Sequence, residues 1–168
     1  MKRAVSGIFI FLIISVGVFA QTAPEAILSA ADVDAFIKNY GKIQSELEKM
    51  EGKYDDVFSS VEFDNPAKTL EQIRSIKIPA EIDQVFSKYG MGDRGFVKMY
   101  IITVAAAALY LEDMIKEMQA EGGDTPGFAE VAQGLMATVD SIKISINKND
   151  LSLVYEDKET ILDLMETE

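Results

Sequence analysis

The sequence predicts an all-α protein, a helical bundle of five or six helices, on three observations. Apolar residues recur every seven positions in two separate stretches. Proline stands at the start of several amphipathic segments, where its missing N–H is no loss. Nowhere do strand-like and helix-like patterns alternate as a β-α-β protein requires. The expected order is one long helix, two short ones, a central buried helix and two C-terminal helices.

The first twenty residues read as a separate object. Lys2 and Arg3 precede the uninterrupted apolar run Gly7 to Phe19, and Val18-Phe19-Ala20 supplies a small-residue cleavage site before Gln21. That is the layout of a secretory signal peptide, and it predicts export: periplasmic in a Gram-negative bacterium, secreted otherwise. The run is short of the roughly 20 residues a membrane-spanning helix needs. Without a cysteine near the site, lipid anchoring is not expected. Residues 21–28, with Pro24, are expected to be a flexible leader, and residues 29–168 a single domain.

Removing Lys2 and Arg3 from the 16 basic residues leaves 14 against 28 acidic, a net charge of −14. Such a surface repels nucleic acid and anionic lipid, so neither is an expected partner, nor is stable membrane insertion after signal cleavage. The chain has no Cys, His or Trp. Disulfides are therefore impossible, and stability must come from an apolar core that roughly 145 residues suffice to build. Nucleophile–imidazole pairs and imidazole metal sites are also removed, which leaves acid pairs as the available chemistry. The expectation is a non-catalytic protein with no cofactor and no metal.

Ser29-Ala-Ala-Asp32 has the form of a capping box opening the long helix, expected from about Ala30 to Val57. Along it, Val33, Tyr40, Leu47 and Tyr54 are spaced by seven, as are Phe36, Ile43, Met50 and Val57. Gly52 allows a bend or an early end. Asn65-Pro66 and Ile78-Pro79 open the two short helices. Asp93 is expected to cap the central helix, in which Met99 to Leu111 carries no charge on any face. Thirteen such residues fall short of a membrane span. Gly122-Gly123 and Thr125-Pro126 separate it from a helix with the series Phe128, Leu135, Ile142 and Ala132, Val139, Ile146. That helix is expected to continue through the strand-like "IKISI". Asn149 or Asp150 caps the last helix, whose inward face is expected to be Leu151, Val154, Tyr155, Ile161, Leu162 and Met165.

Gly90, Gly92 and Gly95 fit G-x-G-x-x-G, but a helical pattern, not a strand, precedes them. They are read as a turn in which Gly90 ends one helix with positive φ. Glu62, Asp64 and Asn65 resemble part of a calcium loop, with too few ligands; a solvated loop with an Asn cap is the simpler account. Met50, Met99, Met114, Met118 and Met136 read as core filling.

Two function classes follow. The first is an interaction, chaperone-like or adaptor module of the cell envelope, binding another protein through part of the seam at Tyr40, Leu47, Tyr54 and Phe58. Most of that seam is expected to be consumed inside the bundle. The alternative is a carrier of a small apolar ligand, with Tyr100, Tyr110 and Tyr155 as polar handles in a cavity beside the central helix.

Overall fold

Ser29 opens the first helix as its sequence predicts. In the computed structural model, which describes residues 24–120 and 128–166, the Ser29 side chain accepts from the Asp32 amide and Asp32 accepts from the Ser29 amide. α1 then runs Ala30–Glu48 with Val33, Phe36, Tyr40 and Ile43 buried. It ends before the expected Val57. Gly52 adopts φ 75°, and the chain resumes as a single turn, α2, at Asp55–Phe58. The helices α3 (Pro66–Ser75) and α4 (Ala80–Lys88) follow. Asn65 caps α3 by accepting from the Lys68 amide, whereas Pro79 itself occupies the cap position of α4, which therefore starts one residue later than expected.

The glycine run is a helix-to-helix turn. Gly90 has φ 90°, its amide donates to Ser87, and the amide of Met91 reaches back to Phe86. Those two bonds are a Schellman ending, and the apolar contact that accompanies it is supplied by the fully buried Met91. Gly95 has a different reason to be glycine: a Cβ there would overlap the Phe86 side chain, so it lets α5 approach α4. Asp93 does not cap α5. The helix starts at Gly95, and Arg94, at φ 59°, provides the first accepting carbonyl, to the Lys98 amide.

α5 (Gly95–Ala120) is the centre of the bundle, in contact with α1, α3, α4, α6, α7 and α8. Its buried alanines 105, 106 and 108 permit that close approach. At 26 residues it is long and apolar enough to cross a membrane by length and composition, and the helices packed on it account for that apolarity. It is not covered all round, however; Tyr110 is exposed toward the far end.

α6 (Phe128–Ser145) stays helical to Ser145 in "IKISI", with Ala132, Val139 and Ile142 on its buried side and Ile146 buried in the bend that follows. The final segment is two helices rather than one: α7 (Lys148–Tyr155) and α8 (Lys158–Glu166), divided by a turn at Glu156-Asp157. Its cap is Asn147, not Asn149 or Asp150, because the Asn147 side chain accepts from the Asn149 amide. Leu151, Val154 and Ile161 are buried as expected, while Tyr155 faces outward. The described residues thus form eight helices, two more than the six at the upper expectation, through the breaks at Gly52 and Glu156-Asp157. The expected signal peptide and the Gly122-Gly123 and Thr125-Pro126 breaks lie outside the described residues.

Candidate binding groove

Polar groups from the ends of α3, α6 and α7 meet at one corner beside an open groove. Arg74, in the last turn of α3, extends its guanidinium to the end of α6, where Nη1 donates to the Ser145 carbonyl at 3.0 Å. A cation there satisfies one of the helix's terminal carbonyls and complements its dipole. Asn147, having capped α7 with its oxygen, donates its Nδ2 to the Pro24 carbonyl at 2.6 Å. One α-helical turn on, Asp150 accepts from the amides of Ile27 (3.2 Å) and Leu28 (3.1 Å). Residues 24–28, expected to be a flexible leader, are therefore strapped across the α6–α7 corner.

Asp150 is fully buried, and that burial pushes its carboxyl above the usual range; the two backbone bonds and the nearby Arg74 only partly oppose it. Arg74 is half-buried. Burial, followed by repulsion from Arg94, pulls its pKa down. Its Nη2 is buried and bonded to nothing, and no carboxylate is in ion-pair contact with it among the described residues.

Beside this corner, α3, α6 and α7 leave an open groove of about 1510 Å³. Ala67 and Glu71 form one wall, Ala137 and Ile144 the other, and Leu151 and Tyr155 the end, with Arg74 between. Ile144 is 64% exposed and Tyr155 51% exposed, large apolar surfaces facing solvent on a strongly acidic protein. A second hollow of about 350 Å³ lies on the other side of Arg74, lined by Ile76, Asp83 and Arg94 among others. One Asp83 oxygen is buried there without a partner; burial, then Asp93, raises its pKa.

The tyrosines proposed as polar handles do not converge. Tyr155 lines the groove with Lys158 4.3 Å above its ring; Tyr110 lies on the exposed surface. Tyr100 is half-buried, with its hydroxyl 3.4 Å from the Pro66 carbonyl and its phenol pushed up by burial. The seam residues face inward. Tyr40 is buried against Phe36, while Leu47, Tyr54 and Phe58 pack on the core. Phe58 stacks on Phe96 at 5.2 Å, and the Tyr54 hydroxyl donates to Glu81. Glu62 pairs with Lys68, Asn65 is engaged as a cap, and no metal-binding cluster of acids forms among the described residues.

Sequence reasoning missed Arg74, Asn147, Asp150 and Ile144 as site residues. Only Ile144 left a usable signal: it falls between Ile142 and Ile146 of the buried series, so a helix must turn it outward. No family model, curated protein or solved structure matches the chain.

Proposed function

We propose that the protein is an exported, non-catalytic binding module that holds an apolar segment of a partner protein in the groove between α3, α6 and α7. The observation that carries this reading is the exposure of Ile144 and Tyr155 on the wall of an open, mainly apolar groove. Clustered apolar surface in contact with water marks an interaction site. The export half of the reading rests on the N-terminal sequence, and the non-catalytic half on a composition without His or Cys.

The groove also favours a protein segment over a small ligand. Sites for small molecules enclose about 300–1,000 Å³ and bury most of the ligand. This concavity is larger and open along one side.

A photo-cross-linking residue placed at Ile144 and, separately, at exposed Phe63 outside the groove tests the reading in the native host. The expected result is a discrete protein adduct from position 144 and none from 63. Adducts at both positions, or at neither, would refute it. Native mass spectrometry of the protein from the host envelope supplies the second arm, with a chain beginning at Gln21 expected. A bound small mass there would favour the carrier instead.

A further inference from the structure

Resting on the reading that this groove is the binding surface, we propose that the segment it receives carries a carboxylate that pairs with Arg74. A charged group withdrawn from water is normally paired, because its lost hydration must be replaced by specific contacts. Lys98, the comparable half-buried cation elsewhere in the core, obeys this rule, with Asp32 at 2.8 Å and the Met91 carbonyl at 2.8 Å. Arg74 does not. One nitrogen serves a carbonyl, the other serves nothing, and the nearest buried acid, Asp150, has both oxygens committed to the strap.

Guanidinium is the side chain best matched to a carboxylate, through two parallel N–H bonds. Nη2 is buried and has no bond to lose, so pairing requires the planar fork to turn toward the groove and to give up the Nη1 bond to the Ser145 carbonyl. The surroundings point the same way. The charged lining of the groove is Arg74, Lys143 and Lys148 against Glu71 and Asp140; with Lys143 already paired to Glu112 at 2.6 Å, the lining is close to neutral on a chain of net −12. An acidic segment is repelled by most of this surface and least at this groove. A helix about 10 Å across with a rise of 1.5 Å fills roughly 120 Å³ per residue, so the groove is on the scale of about a dozen residues. The occupant is accordingly an amphipathic or apolar peptide segment bearing one acidic group, of the helix-in-groove type.

The experiment is selection of random dodecapeptides displayed on phage against the purified protein, followed by affinity measurement on the enriched peptides. Enriched sequences should be apolar with a single Asp or Glu. Replacing that acid by its amide should weaken binding at least tenfold to the native protein and less than twofold to Arg74→Met. Ile144→Glu, at an exposed position, should abolish binding without disturbing the fold. If binding survives Ile144→Glu, the groove reading itself is wrong. If Ile144→Glu abolishes binding but the peptide's acid proves dispensable, or its loss matters equally in Arg74→Met, the groove stands and the Arg74 pairing is overturned. Should no peptide be enriched while dodecanoate raises the melting temperature, the occupant is a small carboxylate and the peptide assignment falls; enrichment of nothing with no shift also refutes it. Because amidation is made on the peptide, the comparison does not depend on Arg74→Met folding, and Arg74→Lys supplies a second variant that keeps the charge.

Discussion

Two buried aspartates hold the start of the domain, and they are solved in opposite ways. Asp32 sits in the first turn of α1 and Asp150 in the first turn of α7. Burial pushes both carboxyls up. At Asp32 that push is outweighed by hydrogen bonds from Lys98 and from the Ser29 side chain and backbone, so its pKa is lowered. At Asp150 the two strap amides and the more distant Arg74 do not outweigh it, so its pKa is raised. The lesson is that hydrogen bonds from neutral amides do not settle a buried carboxylate as a directly bonded ammonium does. One corner of the molecule is electrostatically closed. The other keeps an acid and a cation, close enough to influence each other, each without an ion pair.

The largest effect should come from breaking the closed corner. Lys98→Met removes the only cation bonded to Asp32 among the described residues and leaves the Met91 carbonyl without its donor. Truncating one partner of such a pair is expected to destabilise by about 3 kcal/mol, read from urea unfolding at neutral pH. The pH dependence should change as well. A lowered folded pKa gives stability that is present above the unfolded value, near 3.8, and is lost as pH falls through the folded pKa. Without Lys98, only the Ser29 bonds oppose burial, and that pKa rises. The Lys98→Met variant should then regain stability relative to wild type on acidification, and a parallel loss in both proteins would refute the assignment.

Asp150→Ala should have a smaller effect, about 1.5 kcal/mol, because the Ile27 and Leu28 amides lose their acceptor but can turn to water when the strap lifts. Hydrogen exchange at those two amides should quicken while exchange in α5 follows only the global change. The raised folded pKa fixes the sign here too. Its contribution is fully present below the unfolded value near 3.8 and is lost as pH rises through the folded value. Between wild type and the variant, the stability gap should therefore narrow with rising pH across that window; a widening gap would contradict it.

The difference between the corners was half legible. Ser29 and Asp32 are three residues apart, and a capping box is a local motif, so sequence alone placed it. The seven-residue spacing likewise placed Val33, Phe36, Tyr40 and Ile43 on the buried side of α1. Gly90 was read correctly because a helix ending is also a local event. What spacing does not contain is the partner from another helix. Lys98 lies 66 residues from Asp32, and the bonds from Ile27 and Leu28 to Asp150 span 123 and 122. Such pairings depend on how α5 and α7 are rotated in the bundle. Asp150 was read as a cap because aspartate favours that position, but Asn147 had already taken it. The leader was read as flexible from its length and its proline. Ile27 and Leu28, which pack on the core, were the contrary signal. Arg74 looked like an ordinary basic residue in a last turn, and only the position of α6 gives it Ser145 to bind.

The smallest effect is expected at Arg74, and it is the most discriminating. Arg74→Met loses the hydrogen bond to Ser145 and the attraction to Asp150, and exposes one C-terminal carbonyl of α6 to water. Against these losses it removes a half-buried charge whose Nη2 has no partner and whose neighbour Arg94 repels it. Replacement of an unsatisfied polar group by an apolar one of similar length is often near neutral. The net change should thus stay within about 1 kcal/mol, well below that of Lys98→Met, although both substitutions turn a long cation into the same side chain. Equal losses would mean that Arg74 is structurally paired after all, most directly with Asp150. In that case the Asp150→Ala and Arg74→Met effects would fail to add, since each would already have broken the same pair. Additive effects with a small Arg74 contribution would mean that the fold uses its guanidinium for little more than the Ser145 carbonyl, which leaves its charge free to meet a carboxylate brought from outside.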